Sequence, residues 1–269
     1  EEAEAESVLM KLQAHKFEHR TKFMDYAILY RGNHQARVFE QQLRNQKIPY
    51  TISGGQSFFD KAEIKDLVSY LRLVANEDDD PAFIRAATTP KRGIGQATLQ
   101  TLGQYAGERQ ISLFEALFEQ GIETSLATRQ LEPLRTFGDF INRIRFRAGR
   151  GETGQPVPAA EPAGVILDDL LSAIQYERYL YDTLDEKAAQ SRWQNVLELV
   201  GWLKRKAEAD AMGLLDLVQH VALVTMLDRG DEQEPDAVKL STLHASKGLE
   251  YPHVYLLGVE EGLLPHLGR

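Results

Sequence analysis

The chain has 269 residues, 43% hydrophobic and 26% charged, proportions that exclude a wholly disordered, collagenous or disulfide-stapled protein. Its 31 Lys and Arg stand against 40 Asp and Glu, a formal net charge of −9. It cannot coat nucleic acid through overall positive charge, so any such contact must be local. There is no cysteine, which excludes thiolate chemistry, disulfides and cysteine-ligated zinc.

Residues 1–20 predict a helix with Val8, Leu12 and Leu9 toward one face. This start is too acidic for a signal peptide, and no apolar run approaches the roughly 18 residues of a membrane span. The expectation is a cytoplasmic protein without a membrane partner. The lack of an initial Met and the abrupt end in LLPHLGR read as a piece of something longer. Tyr26–Leu29 is an apolar run bounded by polar residues, the pattern of a buried parallel strand. Asn33–Lys47 returns to helical spacing, and Ile48–Ile52 predicts a short strand that Pro49 places at an edge or start.

Gly54-Gly55 then frees the backbone, and a long helical stretch follows. Asp60 and Glu63 read as a capping box for a helix carrying Ile64, Leu67, Leu71 and Val74. Asp80-Pro81 reads as cap and first turn of the next. Further helices are expected at Thr98–Ala106, Leu113–Glu119, Leu131–Arg147, Val165–Leu171, Arg192–Glu208 and Leu214–Met226, with Trp193, Val196, Leu197, Val200 and Leu203 as an internal stripe. Residues 149–164 form a Gly/Pro-rich loop and residues 230–235 an acidic connector. Strands return at Val238–Leu243 and Val254–Leu257. The expected fold is an α/β domain split by an inserted, mostly helical domain.

The richest string is VKLSTLHASKGLEYPHVYLLGVEEGLLPH, Val238 to His266. A strand ends in Thr242-Leu243-His244, a loop carries Ser246-Lys247-Gly248, and Glu250 precedes a second strand. Polar residues and a glycine at a strand's carboxyl end are how α/β sheets hold ligands. This string resembles motif V of superfamily 1 DNA helicases of the UvrD/PcrA/Rep type, with TLHASKGLEYPHVY and EEGLLPH nearest the Rep branch. ILYRGNHQARVFEQQLRNQKIPYTISGGQSFFDKAEIKDLVSYLRLVANEDD resembles the family's passage from its second RecA-like half, 2A, into the inserted 2B domain. PAFIRAATTPKRGIGQATL and RWQNVLELV resemble 2B segments.

The resemblance implies a RecA-like (P-loop NTPase-type) half domain, with residues 1–54 and 229–269 as 2A and residues 55–228 as inserted 2B. It implies a parent that is an ATP-dependent 3′–5′ helicase, using ATP and Mg²⁺ and meeting single-stranded DNA, duplex DNA and possible replication proteins. Gly248 and Glu250 would contact the nucleotide, completed by a 1A half that this sequence does not include. Thr242, His244, Arg31 and Asn33 would contact single-stranded DNA. Lys91, Arg92, Gly93, Gly95 and Thr98, around a Gly-x-Gly turn and a helix N-terminus, would meet the duplex backbone. Gly54 and Gly55, with the 229–236 connector, would be hinges.

No G-x-x-x-x-G-K-[ST] loop occurs: Gly149 and Gly154 have its spacing, but Gln155 stands where Lys is needed. Val165-Ile166-Leu167-Asp168-Asp169 imitates a Walker B strand yet reads as the start of an amphipathic helix. No catalytic residue and no metal ligand is therefore expected in this sequence, and it is expected to be inactive alone. Arg143, Arg145, Arg147 and Arg150 read as a solvated helix end. A non-catalytic DNA- or protein-interaction module is the alternative, and salt-insensitive protein binding without DNA affinity would favour it.

Overall fold

The computed structural model describes residues 2–54, 57–151, 159–225 and 236–258, over 221–225 the backbone only. Two compact units emerge, Glu1–Lys61 with His220–Arg269, and Ala62–Gln219. The unit boundaries fall at 61/62 and 219/220; 54/55 and 228/229 are the subdomain bounds that the family resemblance implies.

In the first unit, α1 (Glu2–His19) leads to β1 (Tyr26–Tyr30), α2 (Asn33–Asn45) and β2 (Tyr50–Ser53). After the second unit the chain adds β3 (Val238–Thr242) and β4 (His253–Leu256). The four strands form one sheet in the order β2-β3-β1-β4, every pairing parallel. β3, from beyond the helical insertion, thus lies between the two strands that precede it. Pro49 sits where expected, at the start of an edge strand.

Parallel register puts Tyr26, Ile28 and Tyr30 on the same face as Val238 and Leu240. These pack with Ala5, Leu9 and Leu12 of α1 and Phe39 and Leu43 of α2 in one core. Leu9 is fully buried with Leu12, since Ala5, Leu9 and Leu12 follow the three–four helical spacing, and Val8 packs partly buried against the same core. On the opposite face Val254 and Leu256 are 50% and 42% exposed, unusual for a parallel sheet.

The second unit is helical: α3 (Ala62–Ala75), α4 (Asp80–Thr88), α5 (Gln96–Arg109), α6 (Leu113–Phe118), α7 (Thr128–Arg147), α8 (Ala163–Ile174), α9 (Tyr176–Thr183) and α10 (Glu186–Ala209). The unit division falls inside α11 (Leu214–Thr225). Val165–Asp169 is helical, and its acids are held in ion pairs, Asp168 with Lys204 and Asp169 with Arg147, both 2.6 Å.

Several local readings need correction. Glu63 turns inward, where Oε1 accepts from Asn195 Nδ2 at 2.7 Å; it is a buried cross-helix tie. The cap of α4 is Asp79, which accepts from Ala82 N at 3.1 Å, while Asp80 accepts from Leu113 N, the first residue of α6. Along α10 the core positions are Val196, Leu199, Val200, Trp202 and Leu203; Leu197 is exposed and Trp193 half-buried. Three of the four arginines read as a solvated helix end have partners: Arg145 with Glu77, Arg147 with Glu161 and Asp169, and Arg150 with the Ala75 carbonyl.

Candidate nucleic-acid interface

Because all four strands run the same way, their carboxyl ends share one edge of the sheet. β1 and β3 are adjacent there, Leu243 N donating to Tyr30 O at 2.9 Å. From these neighbours the chain departs in opposite directions, β1 past β3 toward β2 and β3 past β1 toward β4, so the loops that follow both strands come together at this edge. Arg31, Asn33, Thr242 and His244 all lie at this edge. Arg31, Asn33 and His244 are exposed.

Gln35, which the sequence reading did not single out, orders the first turn: its Oε1 accepts from Arg31 N (3.1 Å) and Gly32 N (3.2 Å). A Gln three residues into a helix after a glycine is the signal that could have found it. The loop after β3 folds on itself. Thr242 Oγ1 accepts from Ala245 N at 3.3 Å, Ser246 N donates to Thr242 O at 3.1 Å, and Leu249 N to Ser246 O at 3.0 Å. Gly248 follows at φ +84° with open space around it, and residues 247–250 are exposed.

Gly54 is at φ +84°, and a Cβ there would lie 2.5 Å from both Thr242 Oγ1 and Ala245 Cβ. The glycine is needed for close approach to the loop after β3, a tighter role than backbone freedom alone. Beyond it the chain is still gripped by α2. Glu40 Oε1 accepts from Ser57 Oγ and from Tyr50 OH (2.9 Å), and Oε2 from Phe58 N (3.0 Å). Arg44 donates to the same Tyr50 hydroxyl at 2.8 Å and lies 3.7 Å from the Phe59 ring centroid. Burial raises the Glu40 carboxyl, with these hydrogen bonds opposing, and burial also raises the Tyr50 phenol. No spacing or motif in the sequence marks this network. Gly55, residues 229–235 and His266 lie outside the described residues.

The turn between α4 and α5 divides the predicted duplex residues. Lys91, Gly93 and Gly95 are exposed; Gly93 has φ +79° and Gly95 caps α5 without a side chain. Arg92 is half-buried and Thr98 buried, and both side chains have partners within the fold. Arg92 donates to the Ala86 carbonyl and, at 2.8 Å, to Tyr70 OH, and sits 4.8 Å from the Phe137 ring centroid. Thr98 is buried, its hydroxyl accepting from Gln130 Nε2 at 3.3 Å.

Among the described residues no group of three or more His, Asp or Glu side chains could hold a metal ion, and no helix is long and apolar enough to cross a membrane.

Comparison with known proteins follows the same outline. The family described as "UvrD-like helicase C-terminal domain" matches residues 1–137 and 140–268. The chain is 48% identical to ATP-dependent DNA helicase Rep of Salmonella typhimurium over 272 residues, 99% of this chain and 39% of that protein. It is 39% identical to DNA helicase II of Escherichia coli over 243 residues, covering 89% and 32%. With ATP-dependent DNA helicase PcrA of Staphylococcus epidermidis the identity is 34% over 270 residues, covering 99% and 35%. The chain therefore spans well under half the length of the curated relatives it matches, and it belongs to the UvrD-like helicase C-terminal domain family.

Proposed function

We propose that this chain is the strand-tracking and duplex-contacting portion of an ATP-dependent 3′–5′ DNA helicase of the Rep type. The first unit would be a RecA-like 2A half and the helical unit 2B. The observation that carries this reading is the interleaved sheet. Segments on either side of the helical insertion share one parallel sheet, and both deliver polar loops to its carboxyl edge. Arg31, Asn33, Thr242 and His244 would follow the backbone of single-stranded DNA along that edge.

Gly248 and Glu250 would face the nucleotide. An exposed carboxylate beside a glycine with open space suits hydrogen bonds from a sugar's hydroxyls. It does not suit phosphates, for which the sequence has no cradle; those and Mg²⁺ would be held by residues outside this chain. ATP supplies the free energy when bound, and this chain contributes one wall of its site. Lys91 and the backbone amides around Gly93 and Gly95 would contact duplex phosphates without reading bases. Partners are then single-stranded DNA, duplex DNA and, through the parent, replication proteins, in the cytoplasm.

The helical unit would swing as a body. Gly54 and Gly55 are the hinge on grounds of backbone freedom, whereas the Glu40 grip on Ser57 and Phe58 supports a pivot nearer Lys61–Ala62. Bulky β-branched residues at 54 and 55, compared with Pro at 62, separate the two in a donor–acceptor distance assay. The central test is binding. The chain should bind single-stranded DNA with a steep salt dependence and turn over no ATP. His244→Ala with Asn33→Ala should weaken that binding about tenfold or more. Unaltered affinity in the double variant, or ATP turnover by the chain itself, would sink the reading.

A further inference from the structure

The turn that carries Lys91 is held from beneath. Tyr70 of α3 is fully buried, and its hydroxyl lies 2.6 Å from the Thr89 carbonyl and 2.9 Å from the Ala86 carbonyl, between which its one proton is shared. The same oxygen accepts from Arg92 Nη2 at 2.8 Å, while Arg92 Nη1 donates to Ala86 O. The guanidinium is further seated against the rings of Phe137 and Tyr70, 4.8 and 5.8 Å from their centroids. Burial raises the Tyr70 phenol to about 12, Arg92 opposing, so it stays protonated and can donate. Thr89 and Arg92 are thus fixed to one buried hydroxyl, and they bracket Pro90 and Lys91. Lys91 between them is exposed, and the exposed glycines follow immediately.

We infer that Arg92 and Tyr70 are a positioning pair: they hold the Lys91–Gly95 turn in the shape that meets duplex DNA, and Arg92 itself touches no phosphate. The inference rests on the duplex-contact reading above and assigns a role to a tyrosine that cannot reach DNA. The physical reason is preorganisation. A turn already ordered in the fold loses little conformational freedom when a phosphate arrives, so affinity depends on the anchor as well as on the contacting cation. Lysine cannot replace Arg92, because a single ammonium lacks the guanidinium's two forked nitrogens, which reach the carbonyl and the phenol separately.

The experiment measures duplex affinity of the whole chain against salt for Lys91→Ala, Arg92→Ala, Arg92→Lys and Tyr70→Phe, with amide hydrogen exchange across residues 91–97. Lys91→Ala should weaken binding and lower the salt slope by roughly 0.9, one phosphate's worth. Arg92→Ala, Arg92→Lys and Tyr70→Phe should each weaken binding roughly fivefold to tenfold with the slope intact, and speed exchange of the 91–97 amides. If Arg92→Ala lowers the slope while Tyr70→Phe has no effect, Arg92 is a phosphate contact and the inference is overturned. If the unaltered chain does not bind duplex, or Lys91→Ala changes nothing, the duplex reading fails. Exchange then decides the anchor alone: faster in Arg92→Ala and Tyr70→Phe upholds it, unchanged overturns it.

Discussion

The turn at 90–95 and the loop at 243–250 each pair a glycine at positive φ, Gly93 or Gly248, with an exposed lysine, Lys91 or Lys247. Their supports differ. The first is tied to a buried tyrosine, an arginine and a phenylalanine ring. The second rests on Thr242, on Ser246 Oγ donating to Leu243 O at 2.9 Å, and on its own backbone bonds, one as long as 3.5 Å between Lys247 N and His244 O. Under the roles proposed above, such a contrast suits two tasks. A surface that meets an invariant phosphate ladder gains from being rigid beforehand. A loop that must answer a nucleotide gains from weak internal restraint, since lids and switches come from the less stable end of a fold.

Breaking the supports should show the difference in order of size. The largest effect is expected in the helical unit from Asp66→Ala. Asp66 is buried and accepts from Arg85 Nε at 2.8 Å and from the buried Tyr176 hydroxyl at 2.7 Å. The change strands the buried Tyr176 hydroxyl, while Arg85, 39% exposed, keeps the Ala62 carbonyl, so about 3 kcal/mol should be lost in denaturant unfolding; a loss below about 1 kcal/mol would show the network is dispensable. Gly54→Val comes next, since it combines a positive φ with two 2.5 Å clashes. About 2–3 kcal/mol of the first unit's stability should go, with faster exchange at residues 242–246 as the local signature. Gly248→Ala has the same φ but open space, so about 1 kcal/mol of strain alone is expected. Equal losses at 54 and 248 would erase the contrast between a packed and an open glycine.

The smallest effect is a pH dependence at the opposite edge of the sheet. His15 bonds the Tyr26 hydroxyl, which Thr21 also meets, and its ring lies 4.0 Å from that of His19 and 4.3 Å from that of His253. Burial, then the charges of His19 and His253, lowers its pKa below the usual 6.5, Glu18 partly opposing. The unfolded chain therefore takes up this proton first, and stability falls as pH drops through 6.5. His15→Gln should flatten the acid side of a melting-temperature profile between pH 8 and 5; an unchanged slope would remove His15 as its source.

Much of this architecture was legible in the sequence. The apolar run at Tyr26–Leu29 and the Pro49 punctuation located strands, and the reversion to strand pattern at Val238 announced a return to the sheet. Helix α9 was missed because its eight residues hold a single buried pair at helical spacing, Tyr176 and Leu180, too short a stripe to stand out. The fate of Arg92 was illegible for another reason. A basic residue beside Gly-Ile-Gly looks like a phosphate ligand, and only the tertiary position of Tyr70, 22 residues away, reveals where its protons go. The same holds for Glu40, whose partners at 50, 57 and 58 are brought to it by the turn of the chain after β2.

The placement of β3 between β1 and β2 sets a timetable for synthesis. As the ribosome releases the first two strands, the lane between them is empty, and neither can hydrogen-bond the other. The helical unit is complete while those strands still wait. Only when residues 238–242 emerge does the missing rung arrive and zip both sides at once. A nascent chain stalled before Val238 should therefore yield a protease-resistant helical core while residues 1–61 stay digestible.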